Sequence, residues 1–234
     1  MKNHLIISLL FLFVGCSTVQ KEYDIENLMT LDGVVYTEKF RDENVTGIIY
    51  KMYGKKKVTL GQMKDGIKEG KWTKWYWNGQ KKEEGTYKNG KQDGLFNRWN
   101  KNGQKWVEGT YKNGEKDGLW TEWYMDGQKS YEGTYKDGKE DGLTTTWYEN
   151  GQKKYEGTYK DGKPEGLNTN WYENGQKWYE LTNKDGEKDG LGTWWYENGQ
   201  KKFEGTYKMN ELISNECWDE GGNECECISW RGCK

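Results

Sequence analysis

The sequence predicts an all-β fold: an elongated, single-layer antiparallel meander built of 24-residue hairpin units. Three observations carry this expectation. Trp75, Trp99, Trp123, Trp147, Trp171 and Trp195 recur at intervals of 24 residues, as do Gly79, Gly103, Gly127, Gly151, Gly175 and Gly199. A fixed period of this size marks a stacked array in which no unit buries its apolar face alone. Each unit also holds two strand-like runs rich in Thr, Tyr and Trp, such as Thr144 to Tyr148 and Tyr155 to Tyr159. Between them stand Asn-Gly or Asp-Gly pairs, from Asn78-Gly79 to Asn198-Gly199, where a hairpin turn needs positive φ. No stretch of the array shows helical periodicity.

Composition narrows the shape. The hydrophobic fraction is 32% and the mean hydropathy −1.21, values that alone suggest disorder. Yet 14 Trp and 17 Tyr raise the aromatic share to 15%, and the net charge is only −2. A Trp or Tyr buries about 150–250 Å². At about 25 cal/mol per Å², a few ordered rings per unit replace the missing aliphatics. This suits a thin structure with an aromatic seam. The 36 basic and 38 acidic residues are interleaved, so nothing favours nucleic acid, whose phosphates select a basic excess.

Residues 1–15 read as an export signal, with Lys2 at the positive end and Leu5 to Val14 as an apolar core too short to span a bilayer. Phe13-Val14-Gly15-Cys16 resembles a bacterial lipobox, with Phe13 in place of the usual Leu. The resemblance implies acylation of Cys16 and anchoring in the bacterial cell envelope, and Ser17 favours the outer membrane. An ordinary signal peptide with a chance Cys is the alternative. Residues 16–46 are expected to be a tether, with one turn and strand at Asp32 to Tyr36.

Residues 47–208 form the array, with a worn first unit from Gly47 to Gly70. A two-residue Asn150-Gly151 loop would pair Trp147 with Lys154. A three-residue Glu149-Asn150-Gly151 loop with a glycine bulge pairs Trp147 with Lys153 instead. The second form is expected, because it places Trp147, Tyr155, Gly157 and Tyr159 on one face. Gly157 would then let a ring lie against backbone. The return loop, Asp161 to Gly166, is read as longer and holds Pro164, the single proline.

These residues resemble the MORN repeat and its bacterial variant, in which an aromatic-x-Gly-x-aromatic strand precedes a spaced glycine pair and a second strand. Tyr155-Glu156-Gly157-Thr158-Tyr159, Gly162, Gly166 and Trp171-Tyr172-Glu173-Asn174-Gly175 carry the likeness. It implies a twisted single-layer sheet, which at about 4.8 Å per strand extends roughly 70 Å over seven units. Three departures stand out. Leu181 and Asn183 replace the usual Gly and Tyr, implying a bend or weaker packing there. Asn100 replaces the Tyr that follows every other phased Trp. Met209-Asn210 breaks the last turn.

Catalytic chemistry is not expected. The single histidine, His4, lies in the signal segment, which removes Ser-His and Cys-His pairs and His-ligated metals from the rest. Carboxylates such as Glu149, Glu173 and Glu197 repeat one structural position, and nothing singles out a glycosidase pair. Neither a cofactor nor a metal is expected in the array. Its Lys-rich turns, such as Lys153-Lys154, are solvated strand flanks or an anionic-lipid patch. The phased tryptophans are read as the repeat core. Trp106 and Trp178, at a position filled by other residue types elsewhere, are candidates for contact with sugars or partner side chains.

Residues 209–234 form a Cys-rich tail. Cys217, Cys225, Cys227 and Cys233 are even in number in an exported chain, which favours disulfides over a thiolate metal site or free thiols. Three connectivities exist, and Cys225–Cys227 strains the geometry most. The expected function is a non-catalytic, membrane-tethered scaffold for a protein or envelope partner. The alternatives are an antitoxin-like partner binder, which the MORN-variant resemblance implies, and a carbohydrate-binding module.

Overall fold

The computed structural model describes residues 20–31, 34–37, 40–229 and 231–233. The expected signal and Cys16 lie outside these residues. The described residues of the expected tether are folded from Glu22 onward. β1 (Glu22–Asp24) lies parallel to β5 (Gly47–Tyr53), with Tyr23 opposite Ile49. A single 3-10 turn, Ile25–Asn27, links it to a small antiparallel sheet of β2 (Leu28–Leu31), β3 (Val34–Thr37) and β4 (Phe40–Asn44). That sheet is hydrogen-bonded to the array: Val35 N–H donates to the Gly66 carbonyl at 3.0 Å and Gly66 N–H to that of Val45 at 2.8 Å. Apolar residues pull the segment in. Leu28 and Val35 pack on a cluster of Val45, Ile49, Met63 and Trp72.

From β5 the chain runs as one meander of antiparallel neighbours, in which the short β11 and the following β12 lie in line along β10. The strands are β6 (Lys56–Lys64), β7 (Ile67–Trp75), β8 (Lys81–Lys88), β9 (Lys91–Trp99), β10 (Lys105–Lys112), the two-residue β11 (Glu115–Lys116), β12 (Gly118–Trp123), β13 (Lys129–Lys136), β14 (Lys139–Trp147), β15 (Lys153–Lys160), β16 (Lys163–Trp171), β17 (Lys177–Lys184), β18 (Glu187–Trp195), β19 (Lys201–Lys208) and β20 (Glu211–Trp218). β21 (Glu224–Cys225) pairs with β20, and β22 (Cys227–Ser229) with β23 (Gly232–Cys233). The predicted fold class holds: the 24-residue units lie side by side in one long sheet of 18 strands.

The hairpin turn is the expected bulged form. Tyr148 N–H donates to Gln152 O at 2.9 Å and Gly151 N–H to Tyr148 O at 3.0 Å, with Gly151 at φ +84°. Trp147 therefore faces Lys153. A second bulge overturns the expected consequence. Thr146 faces Tyr155, so Lys154 has no residue opposite it. The extra residue flips the alternation. Trp147 lies on one face with Thr145 and Glu156, and Tyr155, Gly157 and Tyr159 lie on the other. All six units repeat this shift.

The tight turn is the other one. Asp161 (φ +52°) and Gly162 (φ +80°) form a two-residue connection between Lys160 and Lys163. Two positive φ values match the twist of the flanking strands. Pro164 is thus in strand β16, near its start and beside a register shift, where a missing N–H is tolerated. Met209-Asn210 keeps the last such turn, since Asn adopts positive φ cheaply, here +68°. The regular architecture continues past residue 208: Asp219 to Asn223 repeat the bulged turn.

Candidate functional site

Burial separates the two faces. On the tyrosine face the buried rings of the first units sit three residues before a phased Trp, at Trp72, Phe96 and Trp120. Their partner strands carry glycines, and a Cβ on Gly109 would meet Trp120 Cε3 at 2.1 Å. The expectation that glycine lets a ring lie on backbone holds here. Packing is not looser at Leu181. This residue is buried with Trp194, Phe203, Tyr207 and Cys217, and the glycine has moved across to Gly192, whose Cβ would be 2.8 Å from a Leu181 methyl.

The phased tryptophans Trp75, Trp99, Trp123, Trp147, Trp171 and Trp195 are half-buried, and none belongs to a buried cluster. They form a ladder on the opposite face. Lys153, opposite Trp147, extends its ammonium over the Trp171 ring at 5.8 Å and pairs with Glu156. Lys81, Lys105, Lys129 and Lys177 repeat this over Trp99, Trp123, Trp147 and Trp195 at 5.5–6.0 Å. Each such cation–ring contact contributes about 0.5–1 kcal/mol at an exposed site. This face also carries a row the sequence reading passed over. Leu95, Leu119, Leu143, Leu167 and Leu191 are 50–62% exposed and face Thr110, Thr134, Thr158, Thr182 and Thr206. Their own 24-residue spacing would have revealed them.

The bulged turns line one edge of the ribbon and are stitched together. The Tyr after each phased Trp donates its hydroxyl to the carbonyl of the next phased Trp. Tyr76 reaches Trp99 O at 2.9 Å, Tyr124 reaches Trp147 O at 2.6 Å, Tyr148 reaches Trp171 O at 2.7 Å and Tyr172 reaches Trp195 O at 2.9 Å. Asn78, Asn150 and Asn174 donate to the backbone of the following turn in the same way, at 2.9 Å each.

The ladder is broken once. Asn100 has no ring, and its side-chain oxygen accepts from Asn102 N–H at 3.2 Å and Gln104 N–H at 3.0 Å within its own turn. A groove of about 730 Å³ lies there, lined by Tyr76 and Tyr124 from the flanking turns, Asn100, Trp106, Trp123 and Met125, with Lys101, Asp126 and Glu149. Trp106 is the extra residue of the second bulge. In other units this position covers the Tyr rung: Lys154 lies 5.6 Å from the Tyr148 ring, and Trp178 lies 6.1 Å from Tyr172. Trp106 has no such ring beneath it and is 49% exposed. Of the two singled-out tryptophans, then, one covers a filled rung and the other borders a groove.

The carboxylates are held by cations. Burial works against the Glu83 charge, but hydrogen bonds and charge from Lys74 and Arg98 outweigh it and keep its pKa below the usual value. Burial pushes Tyr131 well up, with its hydrogen bonds to Tyr135 and Glu140 adding to the effect. Among the described residues no group of His, Cys, Asp and Glu is arranged to hold a metal ion. The four tail cysteines stand at disulfide distance as Cys217–Cys227 and Cys225–Cys233, with Cα separations of 5.3 and 5.6 Å. These are ordinary values for a bridge. Both pairs adjoin the cluster around Phe203.

No curated protein matches the chain. The MORN repeat family matches residues 84–95. The MORN repeat variant family matches six consecutive stretches, residues 68–89, 92–113, 116–137, 140–161, 164–185 and 188–209, and because these cover more than half of the chain, the protein belongs to that family.

Proposed function

We propose that the protein is a non-catalytic scaffold held at the bacterial cell envelope through lipid on Cys16, the outer membrane favoured by Ser17, and that it binds a protein partner on its leucine-bearing face. MORN repeats make a repeat scaffold. The observation that carries the reading is the row Leu95, Leu119, Leu143, Leu167 and Leu191, exposed at regular intervals along one face of a single-layer sheet. At two strands per unit the leucines stand about 10 Å apart. Exposed leucines alternating with threonines from strand to strand, flanked by charged residues, give the mixed apolar and polar composition of an interaction face. A non-catalytic role is supported by the location of the sole histidine and by the Lys–Glu pairing repeated along the array.

A photo-crosslinking residue at Leu143 should yield a discrete protein adduct in intact cells, and adding L119S and L167S to that chain should abolish it while the chain melts as before. Crosslinking at Leu143 that is unchanged by serine at Leu119 and Leu167 would overturn the face assignment. The tether is tested separately: C16A should move the chain to the soluble fraction and remove palmitate labelling.

A further inference from the structure

We propose that the groove at Asn100 receives one tyrosine side chain of a protein partner, flanked in that partner by basic residues. The inference rests on the protein-partner reading above and names a second contact for it. Three observations define the occupant. The groove lies where every other unit places a phenol ring, and Tyr76 and Tyr124 flank it as the rungs before and after. In those flanking rungs the phenol hydroxyl donates to a Trp carbonyl, Trp99 O and Trp147 O. The equivalent acceptor at the break is Trp123 O, which the Asn100 side chain does not reach because its bonds stay in its own turn. An incoming phenol therefore finds the surroundings that Tyr148 or Tyr172 has inside its own sheet: ring walls, a carbonyl acceptor and a bulge residue, Trp106, to cover it.

Charge supplies the flanking residues. Asp126 stands where the other turns carry Asn, so a carboxylate borders the groove at this break and nowhere else in that column. Glu149 adds a second negative charge against the single Lys101. A basic neighbour on either side of the tyrosine complements this balance, and an acidic one does not. The second bulge gives the site its direction, because an unpaired strand residue is re-aimed away from the sheet face.

The test uses the full chain with ¹⁵N-labelled indoles and the acetylated, amidated tripeptide Lys-Tyr-Lys. The Trp106 and Trp123 indole N–H signals should shift in a saturable manner. Lys-Phe-Lys should bind about tenfold more weakly, the size of one hydrogen bond left unmade at a carbonyl, and Glu-Tyr-Glu should bind more weakly still. N100Y should raise the melting midpoint by restoring the rung and abolish the shifts. Conversely, Y172N combined with N198D should create a second responsive site at Trp178. The proposal fails if Trp106 does not shift, if N100Y leaves binding intact, if the Phe and Tyr peptides bind equally, or if a disaccharide shifts Trp106 and the peptide does not. An unshifted Trp106 together with a persisting Leu143 adduct would remove the groove and leave the leucine face standing.

Discussion

Three residues before each phased tryptophan, the first units carry Trp72, Phe96 and Trp120, whereas the central units carry Thr144 and Asn168. Both kinds are buried to within a few per cent. The same position is thus filled by stacked rings toward one end and by hydrogen-bonding groups in the middle. Phe96 and Trp120 stack at 5.8 Å with Tyr111 edge-on to both. In the middle the Tyr131 hydroxyl meets those of Tyr135 at 2.8 Å and the Glu140 carboxylate at 2.7 Å, and Tyr155 reaches Tyr159 at 2.9 Å. Apolar packing returns at the far end around Phe203, where the cysteine pairs also lie. In a one-dimensional array each unit touches only its neighbours. Apolar ends protect the edges that lack a neighbour, and a polar middle suffices where both sides are covered.

Phe203 is fully buried, so F203A should break the C-terminal end most severely, costing about 3–5 kcal/mol. A denaturant melt followed by hydrogen exchange should show β18 to β20 opening first; uniform loss of protection along the array would contradict the contrast. Reduction of the two bridges should act on the same end. They close short loops, 10 and 8 residues apart in sequence, so about 2–4 kcal/mol is expected for the pair region. Peptide mapping without reductant should find Cys217 with Cys227 and Cys225 with Cys233.

The middle should respond to alkali. Tyr131 and Tyr155 have pKa values raised above the ordinary 10.0, burial being the main cause. A raised pKa means that the folded state holds the proton more tightly. Their contribution is complete below pH 10 and declines as pH rises beyond it, because the unfolded chain ionises first. Thermal midpoints should therefore fall above pH 10, and Y131F with Y155F should flatten that fall. The smallest effect concerns the edge ladder. Y148F removes one hydroxyl from Trp171 O and should cost about 0.5–1.5 kcal/mol, while Y124F should cost the same, and neither should alter the apolar ends.

Much of this molecule was legible in the chain. The 24-residue period set the unit and its strands, and Gly151 with its neighbours specified a three-residue turn through its need for positive φ. The break at Asn100 was visible as one odd residue in a column of tyrosines. What escaped was the face on which the tryptophans lie. One unpaired residue, Lys154 and its counterparts, reverses the alternation, and no local preference of Lys, Trp or Ser at that position announces a bulge. The compensation of Leu181 by Gly192 escaped for a related reason: the two are 11 residues apart in sequence and opposite each other in space.

By itself, then, the sequence determined what repeats: unit length, strand composition, turn residues and the odd members of each column. These follow from local backbone preference and periodicity. Only the tertiary structure decided which side chains share a face, that Tyr76 and Tyr124 border one groove, and that Leu28 and Val35 belong to the core and not to a tether. Those outcomes depend on register and on contacts between neighbouring strands, where the shift of a single residue exchanges one face of a sheet for the other.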